Sequence, residues 1–226
     1  QIRLSAGVPA VSDVGFLNNN CFEHARYMAE NNILAHEQDP DRPYASDGGQ
    51  QCAQNSNAWL GSSRGSGNWT PAHSIEGWTS SVAHRLWMLY PTTRSVGYGF
   101  FATANEHRAA AALDILSYTD FAADEAYGGW PVRYPRESSA VPTSRFPITL
   151  NWRYFGSRPQ LETTRLVTAD GRVIAHDANT NLPAGHKGIQ IIPRSELPAN
   201  SVFIVTAAGS YDGQPFNYSW TFRTTN

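Results

Sequence analysis

The spacing of apolar residues changes once along this 226-residue chain, and that change constrains the fold more than any other feature. Up to about Arg133 apolar residues recur at helical steps. Phe16, Leu17, Cys21, Ala25, Tyr27, Met28 and Ala29 predict a helix over 16–32, with Ser12 and Asp13 as its expected caps. Ile75, Trp78, Val82, Leu86 and Leu89 predict a second helix over 71–89. Pro71 suits its first turn, and Pro91 lies just past its end. The segment 95–102 alternates and is aromatic, so it reads as a strand. The segment 106–112 fits a turn of helix or a strand edge. From about Phe146 the period becomes two, in short runs at 146–152, 165–169, 172–175, 188–192, 202–207 and 218–224. Asp170-Gly171 between two of them is a hairpin signal. Short strands at regular spacing with turn punctuation predict a β-sandwich.

Composition narrows the function classes. The net charge of -2 gives no basis for nucleic-acid binding. No apolar run is long enough to cross a bilayer as a helix. Charge divides unevenly, with 13 acidic and 8 basic side chains up to Arg133 and 6 and 9 after it. Opposite signs could help two domains dock, although single exposed pairs are weak. Asn68-Trp69-Thr70 and Asn217-Tyr218-Ser219 fit the glycosylation sequon. Trp59 and Trp69 flank a Gly/Ser-rich loop, where aromatic faces suit either ordinary packing or a sugar or apolar ligand.

Three motifs occur in order: His24-Ala25-Arg26-Tyr27-Met28-Ala29 ahead of His36, then Trp78-x-x-Ser81-x-x-His84-Arg85, then Val96-Gly97-Tyr98-Gly99. This series resembles the CAP superfamily of cysteine-rich secretory, antigen 5 and pathogenesis-related group-one proteins, and its bacterial branch in particular. The end of the chain, Ile192-Pro193 through Leu197-Pro198-Ala199-Asn200-Ser201 to Val205, with a final Trp220-Thr-Phe-Arg-Thr224, resembles bacterial Ig-like modules. The two resemblances imply an α+β protein: a CAP-like α/β/α sandwich over 1–134, a linker over 135–144 and an all-β Ig-like sandwich over 145–226. They also imply export, to an extracellular or cell-surface location, and a first helix that begins upstream of Gln1. In an exported protein Cys21 and Cys52 would form a disulfide, whose loop closure stabilises by about 3–4 kcal/mol. The residues alone leave two buried thiols open as the alternative.

Many CAP domains gather two His and two Glu in a cleft, where the imidazoles can hold a divalent metal such as zinc. The resemblance places His36 and His84 there. The carboxylates depart from the pattern. Gln54 stands where the family has a Glu, and Ser81 stands three residues after Trp78, where some members carry another. Gln is no general base and a poor zinc ligand. Glu37 and Glu76 are the nearby carboxylates that could substitute. Ser81 and His84, three residues apart on a helix, can touch, but no acid is placed to orient the imidazole. The expectation is a non-catalytic binding or structural protein with a degenerate cleft and no certain cofactor. Its partners would be a cell-envelope, glycan or lipid ligand, or copies of itself. The alternatives are a hydrolase using the His36/His84 cleft, and a subunit of an extracellular polymer assembled through β-edges.

Overall fold

The computed structural model describes residues 1–137 and 139–225. The first helix, α1 (Ile2–Ala6), stops at Gly7, whose φ of 70° is the left-handed cap that glycine adopts without strain. Two units follow from the packing: Ala10–Asp120, and Gln1–Pro9 together with Phe121–Asn226. Residues 1–9 and 121–134 thus group with the C-terminal strands, although they precede the expected boundary at 134.

In the first unit a short strand, β1 (Ser12–Asp13), leads into α2 (Gly15–Asn31). The expected caps Ser12 and Asp13 instead pair with Ser95 and Val96, and the N-cap is Val14. Asp13 still ties down the helix start, because its carboxylate accepts from the Asn18 side chain at 2.8 Å. Asn32, with φ 51°, ends α2 in the left-handed region that Asn tolerates. Next come α3 (Asp47–Asn55), capped by the Ser46 hydroxyl on the Gly49 N–H, and β2 (Ser56–Ser62).

The expected helix over 71–89 is broken in two, α4 (Pro71–Ser80) and α5 (Val82–Met88). Ser81 between them is extended, at φ -84° and ψ 125°. The run Thr79-Ser80-Ser81 favours such a break, since these side chains compete for backbone partners. Thr79 donates to the Ile75 carbonyl, and the Ser81 hydroxyl meets the His84 ring.

The strands β3 (Ser95–Ala102) and β4 (Arg108–Asp114) complete a sheet of order β1-β3-β4-β2. The segment expected as a turn or edge is therefore a central strand, and Ala109–Ala112 are fully buried in it. Small side chains let α2 lie close on this sheet, over a core of Cys21, Ala25, Tyr27, Met28, Ala29, Cys52, Ala58, Ala110 and Ala112. The glycines of Val96-Gly97-Tyr98-Gly99 serve the same approach. A Cβ at Gly97 would collide with the Leu17 backbone, and one at Gly99 with the backbone of Cys21 and Phe22. Gly99→Val should therefore destabilise the protein by about 1–3 kcal/mol, because a helix backbone rather than a side chain must move. Urea unfolding of the variant measures this, and an unchanged midpoint would show that the helix yields freely.

In the second unit two four-stranded sheets share one core. One has β5 (Val132–Tyr134), β7 (Ile148–Asn151), β10 (Lys187–Pro193) and β9 (His176–Asn181) in the order β5-β7-β10-β9. The other has β6 (Ala140–Val141), β12 (Gln214–Thr224), β11 (Val202–Tyr211) and β8 (Gln160–Thr168) in the order β6-β12-β11-β8. Along β11 Phe203, Val205 and Ala207 are buried while Val202, Ile204 and Thr206 are not, the two-residue period expected of a half-buried strand. Trp152 joins the sheets by stacking on Tyr211, with ring centroids 5.1 Å apart. The Trp220 indole donates to the Pro135 carbonyl at 2.9 Å. Asp170-Gly171 forms the expected turn, with the Gly171 N–H on the Thr168 carbonyl, but the expected strand over 172–175 is reduced to a single bridge of Val173 to Val167. Beyond it the chain crosses to the other sheet as β9, a strand whose sequence His-Asp-Ala-Asn-Thr-Asn carries no apolar alternation. The mixture of helix and sheet is compatible with the expected α+β class.

Candidate functional site

The site is built around the α3–β2 junction. Leading up to it, residues 33–46 have no regular structure and are held by side chains instead. Tyr27 accepts from the Asp39 N–H at 3.0 Å, and Asn31 donates to the Pro43 carbonyl at 2.8 Å. Gln38 is a hub. Its N–H donates to Gln50, its side-chain oxygen accepts from the Ser46 N–H at 2.8 Å, and its amide NH2 meets His24 Nδ1 at 3.1 Å. His24 Nε2 then donates to the Ala35 carbonyl at 3.0 Å. These bonds together define one neutral tautomer. Burial holds the His24 pKa down at about 4; the hydrogen bond to Ala35 partly offsets this, and the charge of His36 adds a smaller lowering.

His36 lies exposed over α3, with Nδ1 a long 3.4 Å from the Ala53 carbonyl. Gln54, the next residue on α3, is also exposed. Four residues beyond Ala53, the buried Asn57 donates to the His84 carbonyl at 3.0 Å. The segment from Ala53 to Asn57 thus contacts both His36 and the backbone of His84. The His84 pKa is lowered, first by burial and second by the charge of His36. His84 Nδ1 is 2.9 Å from the Ser81 hydroxyl, so the serine–histidine contact allowed by the spacing does form. Glu37 and Glu76 are exposed, and among the described residues neither makes a hydrogen bond or ion pair with either imidazole. The disulfide Cys21–Cys52, with Cα atoms 5.2 Å apart, clamps α2 to α3 beside this junction. The expected pairing is thereby borne out.

Residues 1–108 match the family model of the cysteine-rich secretory protein family, CAP, a little under half of the chain. This chain carries a CAP domain. No curated protein matches it. Among solved structures, one titled "putative beta-galactosidase from Bacteroides fragilis" aligns at 14% identity and a TM-score of 0.27. It covers 58% of this chain, which spans 20% of that structure, and a likeness this low carries no argument.

In the CAP domain the donor set does not fit zinc. A structural or catalytic zinc takes at least three protein ligands. Among the described residues no three His, Cys, Asp or Glu side chains gather as a metal group. Of the side chains named from the sequence, the structure links Ser81 to His84 by a hydrogen bond and sets His36 against the Ala53 carbonyl, with Gln54 the next residue along. It leaves Glu37 and Glu76 as solvated carboxylates. Sequence reasoning missed Gln38 and Asn57, whose contacts join segments 14 and 27 residues apart. No local pattern of residues announces such pairs. Trp59 and Trp69 are half-buried and packed edge to face at 5.6 Å, the ordinary-packing reading of that pair.

Proposed function

We propose that this is an exported protein of bacterial type, placed outside the cell or at its surface, in which a degenerate CAP cleft serves non-catalytic binding or structure. The observation that carries the reading is the missing carboxylate: among the described residues the His36 ring meets the Ala53 carbonyl and the His84 ring the Ser81 hydroxyl, and no Asp or Glu pairs with either. General acid–base catalysis is worth roughly 10²–10⁴-fold and needs a group of suitable pKa at the reacting atoms. Gln54 supplies none. The buried disulfide agrees with an oxidising location. In this reading the strands after residue 145 act as an Ig-like spacer, and the cleft takes a cell-envelope, glycan or lipid ligand.

A second reading, a hydrolase, draws on the Ser81–His84 contact. The lowered pKa of His84 keeps its ring neutral at pH 7, the form able to accept the Ser81 proton. One experiment separates the two. The protein is offered a broad panel of peptides and esters, with and without zinc, beside a His36→Ala, His84→Ala double variant, and Ser81 is probed with a fluorophosphonate. Near-background, equal rates and no labelling are expected. Turnover lost in the double variant, or labelling at Ser81, would establish the hydrolase.

Assembly through β-edges is less favoured physically. The outer strand β5 is three residues long and lies between Pro131 and Pro135, which have no N–H to offer. The outer strand β8 carries a bulge at Glu162, where Leu161 and Thr163 pair with the adjacent Gly209 and Ala208. Short, bulged and charged edges discourage strand addition.

A further inference from the structure

Phe155 is 75% exposed, a position that forgoes the stabilisation of a buried ring, yet the chain around it is firmly held. Arg153 to Gly156 form a turn closed by the Gly156 N–H on the Arg153 carbonyl at 3.1 Å. A Cβ at Gly156 would run into the Tyr211 hydroxyl and the Arg153 side chain, so the turn packs closely against both. The Arg153 guanidinium is pinned by Glu125 at 2.9 Å and Asp212 at 3.2 Å. Tyr154 donates to the Ala184 carbonyl at 3.2 Å. The turn thus presents the Phe155 ring at its tip, with Phe121 and Tyr154 edge-on at 5.2 and 5.1 Å. Beside the ring lies a pocket of about 230 Å³ lined by Phe121, Ala122, Asp124, Glu125, Arg153 and Phe155.

That volume is below the roughly 300–1,000 Å³ of sites for drug-sized ligands, so the occupant is about one ring in size. The lining sets an aromatic face beside a carboxylate and a guanidinium. A pyranose presents the complement: a C–H face for the aromatic ring, and neighbouring hydroxyls that donate to the carboxylate and accept from the guanidinium. Asp124, Glu125 and Asp212 outnumber Arg153 and Lys187, whose ammonium lies 5.9 Å from the Tyr154 ring, so the net local charge disfavours an anionic sugar or phosphate. We propose that this pocket is a carbohydrate site for one neutral pyranose unit of a glycan, with Phe155 as the stacking platform and Glu125 with Arg153 as the hydrogen-bonding pair. It is independent of the His36/His84 cleft.

Saturation-transfer NMR on the whole chain tests this with the methyl glycosides of glucose, galactose, mannose and N-acetylglucosamine. The methyl glycoside of glucuronic acid and N-acetylphenylalaninamide serve as the charged and peptide-like comparisons. At least one neutral glycoside should receive saturation and titrate in the millimolar range. Phe155→Ala should weaken it by roughly fivefold or more, and Phe155→Trp should retain it. Phe155 is a surface residue, so matching melting curves confirm that both variants fold. No transfer to any of the four neutral glycosides, equal affinity in Phe155→Ala, or preference for the glucuronide or the phenylalanine amide overturns the proposal.

Discussion

Replacing Cys21 and Cys52 together by Ala should cost the CAP domain at least about 3–4 kcal/mol of stability, the loop-closure entropy of a cross-link with a sequence separation of 31. Both cysteines are fully buried, so the lost sulfur atoms add a cavity cost. Against the 5–15 kcal/mol that holds a typical domain, this is a large share. The bond also has a local task. Cys21 lies one turn before His24 on α2, and Cys52 directly precedes the residue whose carbonyl faces His36. Opening it frees α3 from α2, and the His24–Gln38–Ser46 hydrogen bonds should loosen with it. Urea unfolding gives the energy, and histidine NMR resonances report the local change. A loss below about 1 kcal/mol would mean that the reduced chain is already constrained by residual structure.

The sequence makes legible those parts of the fold in which one residue type repeats with one geometry. α2 is such a case, as are β3 with its alternating glycines and β11 with Phe203, Val205 and Ala207 facing inward. The break at Ser81 was hidden because Val82, Leu86 and Leu89 continue the apolar stripe of Ile75 and Trp78 across it, while the local cause is hydroxyl chemistry. β9 was hidden because it is an outer strand of polar residues, so no burial pattern marks it. β4 is only weakly marked because its four alanines carry little strand preference, although the close approach of α2 selects them.

The candidate site shows the same division. His36 and His84 are legible through their motifs, since a helix end and a helical triplet fix where each ring starts. Their surroundings are not legible, because Gln38 reaches His24 and Asn57 reaches His84 only after the chain has folded back. The carboxylates carry the same lesson in reverse. Glu37 and Glu76 are near the imidazoles in sequence, but exposed backbone on an irregular segment and on the outer face of α4 directs them to solvent.

Stability should fall steeply between pH 6.5 and pH 4, and two histidines should be the cause. His24 is fully buried, and burial holds its pKa near 4 despite the opposing hydrogen bond to Ala35, with a smaller lowering from the charge of His36. His186, buried in the other unit, is held near 3 by burial and then by Lys187. Both values lie below the 6.5 of the unfolded chain, so the unfolded state binds protons first as pH drops. The stability that each neutral ring contributes is complete above pH 6.5 and is lost as pH falls through the folded value. Down to pH 4 each ring loses about 3 kcal/mol, and the His186 loss reaches about 4–5 kcal/mol only near pH 3. The lowered pKa of His84 acts in the same direction. Asp170 and Asp177, also lowered, take up protons below the ordinary carboxylate pKa and so act only at the acid end of this window. Asp114, raised by burial, acts with the opposite sign. The two histidines belong to different units, so His24→Asn and His186→Asn should each flatten the pH dependence of a separate unfolding step. Urea denaturation at pH 7, 5.5 and 4.5 measures the slopes. Equal stability at all three pH values would show that these rings accept protons without leaving their pockets.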